Sequence, residues 1–289
     1  MKCRGFSTLV LFIALPLLTT GAYADSFRDL AAQNFAVLGG TTVTNVPTST
    51  ITGNVGTYSG TTVTGFNSLL GVAVSDPQVT GGTVQAGTAT AMTAQGDARS
   101  AFTTLMGLPG LNLTGDNLGG LTLGPGVYSF SSSAQLTGLL NLNFAGASGQ
   151  TIVINIGSTL TTANGSSVVL EGWNPTDSVY WAVGSSATLG STTAFEGNVI
   201  ALTNDTLVTG ATDGCGSVIA LNGVVTLGSD TISTGCNSAT TTTLEELGPG
   251  TTTPGITVTP EPNTFVLISC GLLAVIFLTF HKSRAGSLI

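Results

Sequence analysis

Short apolar clusters alternate with runs of Gly, Ser and Thr along most of this chain. Segments of like pattern open at Ile152, Val179, Val199 and Val218, with a weaker forerunner at Val127, so the chain repeats at about 19 residues. Each segment opens on a β-branched or aromatic strand. Gly157, Gly184 and Gly223 then share one turn position, and Asn204 fills it in the third copy. Both residue types tolerate the left-handed backbone of a tight corner. A repeat of that length holds roughly three strands of four to six residues per turn. It predicts a mainly β fold, a three-faced β-solenoid whose coils stack about 4.7–4.9 Å apart. Alternation along the strands puts Val225, Leu227 and Ile232 inside, and Thr226, Thr231 and Ser233 outside. Thr192, Thr212 and Thr231 align in one column, an expected ladder of hydroxyls and methyls.

One segment departs from this pattern. Between about residues 86 and 106, Ala91, Ala94, Ala98, Phe102 and Leu105 recur at helical spacing, and Gly107 to Gly110 end the run. Its threonines lower helix propensity, so packing against one solenoid face has to support it. Residues 34–66 read as strand and turn, and 239–259 as a flexible Thr/Pro/Gly stalk carrying Glu245 and Glu246. Cys215 and Cys236 fall in nearly the same register of the last two coils. Stacked positions lie within disulfide reach, and a bridge closing a loop of ~20 residues contributes about 3 kcal/mol. The alternative is two free buried thiols.

Composition narrows the chemistry. Of 289 residues only 7% are charged, Gly numbers 40, and Thr is more frequent still. With six Lys and Arg and a net charge of -8, the chain lacks the basic footing that nucleic-acid binding requires. Its single histidine, His281, lies near the C-terminus, which excludes a Ser-His-Asp triad or a His-based zinc site in the main domain. No phosphate loop or nucleophile elbow is present. The expectation is therefore a protein that is not an enzyme and uses no cofactor or metal. Glu171, Glu196 and Asp205 read as exposed solubility charges, Trp173 and Trp181 as packing residues, with Trp181 facing inward.

Both ends read as addresses. Residues 1–24 carry Lys2 and Arg4, an apolar run and an Ala22-x-Ala24 site, the pattern of a secretory signal peptide; an uncleaved anchor is the alternative. The main domain is then 25–238. Residues 260–289 begin with Pro260, Glu261 and Pro262, continue through a membrane helix at 265–280, and end in a basic tail. This end resembles the PEP-CTERM sorting signal. The resemblance implies an exosortase-type processing enzyme as partner, transient anchoring in the inner membrane by the C-terminal helix, and delivery to the cell surface, the outer membrane or the medium. A plain membrane anchor is the alternative.

The segments 34–40, 51–56, 63–66, 123–130, 156–162 and 181–190, with 225–227 and 230–232, occur in order around a helix. From about Ala32 to Ser233 the chain resembles the bacterial and fungal ice-binding (antifreeze) family. That resemblance implies an irregular, triangular, right-handed β-solenoid with one long α-helix along its axis. It also implies adsorption to ice crystals through a flat face often bearing Thr-Ala/Gly-x-Thr/Asn. The pattern fits Thr64 to Asn67, Thr209 to Thr212 and Thr234 to Asn237, and also Thr90 to Thr93 within the helix. The candidate ice-binding residues are Thr64, Asn67, Thr192, Thr209, Thr212, Thr226, Thr231 and Ser233. A rigid Thr array suits ice because β-branched side chains lose little entropy on binding. The alternative is a cell-surface adhesin or exopolysaccharide-associated structural protein without ice affinity.

Overall fold

The computed structural model describes residues 31–235. The leader, the stalk, Cys236, Asn237, Pro260, Glu261, Pro262 and the apolar stretch 265–280 lie outside the described residues. Among the described residues, no helix is long and apolar enough to cross a membrane.

The domain is mainly β with one α-helix. Its strands form three sheets, of ten, eight and seven strands. Pairing between strands is parallel throughout, except where Ala73–Val74 runs against Val84–Ala86. After the helix the chain visits the sheets in fixed order. Gly126–Phe130 joins the ten-stranded sheet, Ala134–Leu136 the seven-stranded and Leu139–Asn143 the eight-stranded. Thr151–Ile156, Leu160–Thr162 and Ser167–Glu171 repeat the circuit, and it continues to Val218–Ala220, Val224–Leu227 and Thr231–Ser233.

The order in space is not the order in the chain. The first strands dock beyond the last ones, with Val37 paired to Val218, Thr44 to Thr226 and Thr50 to Thr231. After Val84–Ala86 the helix Ala89–Met106 leads back to Leu111–Asn112 at the opposite edge of the ten-stranded sheet. Its 18 residues span about 27 Å at about 1.5 Å each, enough to pass over five or six strands at about 4.8 Å.

Period-two alternation explains the core. Ile152, Ile154 and Ile156 join a cluster drawn from all three sheets, while Val153 between them joins a second cluster with the helix. The ten-stranded sheet is thus buried on both sides, which accounts for its unbroken apolar runs. Ala91, Ala94, Ala98, Ala101 and Leu105 face Phe35, Leu38, Tyr180, Ala182, Ile200 and Ile219. Polar ties fix the helix in place. Gln95 Nε2 donates to Ala220 O at 3.0 Å, Arg99 donates to Leu221 O at 2.9 Å, and Asn155 Nδ2 to Leu105 O at 2.6 Å.

Several expectations need correction. The helix starts at Ala89 rather than at residue 86 because Val84–Ala86 is a strand. Gly87 then turns with φ +62°, and Thr88 caps the helix by accepting from Ala91 N. Phe102 is only partly buried, and Ala101 takes the central place on the apolar face. The repeat is uneven. Ile152 pairs with Val179, 27 positions on, whereas Val199 pairs with Val218 after 19. Val199 pairs with Trp181 rather than aligning with Val179, and Gly223 falls one position before the residue matching Asn204. Trp181 is fully buried as expected, 4.8 Å from the Phe195 ring, with its indole N–H donating to Glu196 O.

Candidate functional site

The seven-stranded sheet is built from short strands with one polar residue between two inward-facing ones. In Ala187–Leu189, Asp205–Leu207 and Val224–Leu227 the flanking residues are buried, and Thr188, Thr206 and Thr226 face out, half-buried. The register joins these positions across the sheet. Thr161 pairs with Thr188, Thr188 with Thr206, Thr206 with Thr226, Thr226 with Thr44 and Thr44 with Thr64. Gln135 extends the row beyond Thr161. Six threonines thus stand in one line, with five steps of about 4.8 Å covering about 24 Å.

A second row lies two residues earlier on each strand: Ser133, Thr159, Ser186, Asn204, Val224, Thr42 and Thr62. The rows are about 7 Å apart. Hydrogen bonds stiffen the second row. Thr159 Oγ1 donates to Ser133 Oγ at 2.8 Å, and Val224 N donates to Asn204 Oδ1 at 2.9 Å. Neither row contains a charged residue. The threonines are confined at χ1 by their branching, and all but Thr64, on the edge strand, are held by backbone that pairs on both sides.

The eight-stranded sheet is different. Its outward row runs Leu139, Ser167, Ala194, Thr212, Thr231 and Thr50. Beside it stand two carboxylates. Glu171 accepts from Asn141 Nδ2 at 2.7 Å and from Asn143 Nδ2 at 3.0 Å, and half-buried Glu196 has its pKa pushed up to about 7 by burial. The outer side of the ten-stranded sheet is occupied by the helix. Among the described residues the seven-stranded sheet lines up six threonines, whereas the eight-stranded row holds three and has carboxylates toward the ends of its strands.

The sequence-predicted residues divide between these surfaces. Thr64 and Thr226 stand in the six-threonine row. Thr212 and Thr231 do pair with each other, as expected, but on the eight-stranded sheet. Ser233 is on that sheet too, yet it is buried and its hydroxyl donates to Gly235 O. Thr192 does not join their column, whose next member is Ala194. It sits in a connection with φ +55°, and its N–H donates to Thr209 O. Thr209 lies in the connection after Asp205–Leu207, and Asn67 in a loop where its N–H donates to Asp76 at 2.7 Å.

Thr44, Thr161, Thr188 and Thr206 are additional members of the row. A signal for all but Thr206, which follows Asp205, exists in the repeated unit of a threonine behind an apolar residue: Leu160-Thr161, Ala187-Thr188, Val225-Thr226, Val43-Thr44 and Val63-Thr64.

Asp205 and Glu196 are not exposed solubility charges. Asp205 is 1% exposed, registers between Ala187 and Val225, and neither oxygen has a hydrogen-bond partner among the described residues. Burial pushes its pKa well above the usual carboxylate range. Asp213 is raised likewise, first by burial and then by Glu196 nearby. Among the described residues no three His, Cys, Asp or Glu side chains gather where a metal ion could be held.

Comparison with known proteins places this arrangement. The ice-binding-like family model matches residues 37–233, which is most of the chain. The chain belongs to the ice-binding-like family. An ice-binding protein of Nostoc sp. (strain HG1) is 40% identical over 286 residues, 98% of each chain. Ice-binding protein K3-B1 of Typhula ishikariensis is 34% identical, covering 68% of this chain and 86% of its own. The solved structure of the ice-binding protein from the Antarctic ascomycete Antarctomyces psychrotrophicus superposes with a TM-score of 0.64 at 35% identity, covering 71% of this chain and 96% of that one. A further ice-binding protein structure, from an Antarctic biological consortium, gives a TM-score of 0.61 at 36% identity, covering 70% and 88%. The expected family is thereby established.

Proposed function

We propose that this chain is an exported protein that adsorbs to ice through the outward side of its seven-stranded sheet. The observation that carries the reading is the row Thr161, Thr188, Thr206, Thr226, Thr44, Thr64, free of charge over about 24 Å. Ice offers a regular lattice of water and no charge to grip. A charged surface keeps its own hydration shell, whereas threonine presents a hydroxyl to lattice water and a methyl that orders water between rows. Each contact is weak, so regular spacing and low entropy loss decide the outcome. Relatives named ice-binding proteins support the same reading.

In this reading the three sheets are the walls of a right-handed, three-faced solenoid. The leader 1–24 directs export, and Pro260, Glu261 and Pro262 mark a segment for an exosortase-type enzyme after transient anchoring through 265–280. The destination is the cell surface, the outer membrane or the medium. Cys215, half-buried on a connection, pairs with Cys236 and ties down the chain where it leaves the domain.

Ice-recrystallisation inhibition by the full-length chain tests the site. Thr188→Tyr, which breaks the flat row, is expected to lower activity at least about tenfold without changing the melting temperature. Thr212→Tyr on the eight-stranded sheet is expected to leave it intact. Full activity in the first variant and loss in the second overturns the assignment.

A further inference from the structure

Four corners in succession carry the chain from the ten-stranded sheet onto the threonine face with three residues each. Phe130, Ile156, Val183 and Ala201 pair in turn at the near side, and Ala134, Leu160, Ala187 and Asp205 at the far side. The corners between them are 131–133, 157–159, 184–186 and 202–204. The next corner is longer. Ala201 pairs with Ala220 and Asp205 with Val225, so residues 202–204 face 221–224, three against four. The surplus is given back beyond the strand, where Thr206 pairs with Thr226 and Thr212 with Thr231, leaving 207–211 against 227–230. The shift is therefore confined to the seven-stranded sheet, at the strand Val224–Leu227 that sets Thr226 between Thr206 and Thr44.

A surplus residue has two places to go. It folds into the corner, or it enters the strand as a bulge, where two residues oppose one and the strand bends. A bulge opposite Thr206 would take Thr226 out of line. The row would then break into Thr161, Thr188 and Thr206 on one side and Thr44 and Thr64 on the other.

The corner holds the surplus by specific contacts. In the regular corners the middle residue donates to its counterpart, as Ser185 N does to Ser158 O and Thr203 N to Ser185 O. Asn222 N reaches back to Leu202 O instead, at 3.2 Å. Arg99 on the helix clamps this half, Nη1 donating to Asn222 Oδ1 and Nη2 to Leu221 O, both at 2.9 Å. Gly223 follows, so close to the previous corner that a β-carbon would collide with Thr203 O and Asn204 Oδ1. Only glycine fits there. Val224 N then donates to the side chain of Asn204, to Oδ1 at 2.9 Å. The places matching Asn204 in earlier corners hold Ser133, Thr159 and Ser186, whose hydroxyls are shorter. The long amide stands at the corner that faces four residues.

We propose that Asn204 and Gly223 are positioning residues that keep the surplus in the corner and so hold Thr226 in the threonine row. Their effect on ice rests on the ice-adsorption reading; their effect on Thr226 does not.

Two measurements on the full-length chain separate these. Oxidative cross-linking of Thr206→Cys with Thr226→Cys reads the alignment, because facing positions on neighbouring strands lie within disulfide reach; mass spectrometry identifies the joined peptides. Ice-recrystallisation inhibition is read with Thr206 and Thr226 intact. Asn204→Ala and Gly223→Ala are each expected to slow cross-linking and lower ice activity several-fold, the shift that one lost hydrogen bond drives. Deletion of Gly223 alone leaves three residues against three and is expected to keep both readouts. The same deletion in the Asn204→Ala chain is expected to restore both. A role of Asn204 in stability alone, or its direct contact with ice, gives no such rescue. Unchanged cross-linking in both single variants overturns the proposal, and so does a deletion that fails to restore it in the Asn204→Ala chain. Loss and rescue of cross-linking in a protein that leaves ice growth untouched support the positioning role and overturn the ice-adsorption reading instead.

Discussion

Replacing Asp205 by valine should stabilise this domain, and the reason lies in one inward column of the seven-stranded sheet. That column reads Ala134, Leu160, Ala187, Asp205, Val225, Val43, Val63. Asp205 is its single polar member, 1% exposed and without a hydrogen-bond partner among the described residues. A buried, unpaired polar group costs about 1–3 kcal/mol, and valine continues the apolar stack at the price of about one extra methyl group. The expected gain at pH 7 is therefore about 1–3 kcal/mol, or about 2–4 °C of Tm for each kcal/mol. The pH dependence carries a definite sign. Burial raises the carboxyl in the folded state, so the unfolded chain binds fewer protons between its own value near 3.9 and the raised folded value. Stability from this group is complete below about pH 3.9 and falls as pH rises, by at most about 1.4 kcal/mol per unit. Asp213, Asp230 and Glu196 are raised in the same direction. Subtracting Asp205→Val from wild type isolates one residue. Urea denaturation at pH 4 and pH 7, followed by circular dichroism, should show the two proteins closer at pH 4 and the variant ahead at pH 7. A variant less stable than wild type at pH 7, or an advantage independent of pH, refutes the reasoning.

Three further outcomes rest on the same packing. Glu196→Gln should flatten the stability profile between about pH 4.3 and 7, because burial raises Glu196 to about 7 and its contribution is lost as pH rises through that value; thermal melts across that range check it. Leu105→Ala should cost about 2–5 kcal/mol, since Leu105 is fully buried in the last turn of the helix and its carbonyl is held by Asn155; the urea midpoint measures it. Thr88→Ala removes the helix cap and should cost about 1 kcal/mol, seen in the same denaturation experiment.

Much of this domain was legible from local pattern. Two-residue alternation placed Val225, Leu227 and Ile232 inside and Thr226 outside, and the three-to-four spacing of Ala91, Ala94, Ala98 and Leu105 located the helix. Both signals depend only on neighbouring residues. The candidate surface was harder to read because it is assembled across the chain. Thr44 pairs with Thr226 across 182 positions and brings Thr64 with it, and no periodicity announces that the first strands dock beyond the last. Uneven connections misplaced Thr192, which alignment put in the column that Ala194 occupies. Asp205 was misread from its type, since carboxylates are usually exposed. Its position between Asn204 and Thr206, both half-exposed, points it inward by the same alternation that worked elsewhere.

The central claim is that threonines from both ends of the chain form one ice-matching surface on the seven-stranded sheet. Thermal hysteresis, measured together with ice-crystal shaping, tests it most directly when wild type is compared with Thr44→Tyr, Thr206→Tyr and Thr231→Tyr. The account predicts faceted crystals and a freezing gap for wild type and Thr231→Tyr, and near-complete loss for both Thr44→Tyr and Thr206→Tyr. An active Thr44→Tyr beside an inactive Thr231→Tyr, or a wild-type protein that leaves ice growth unshaped, contradicts it.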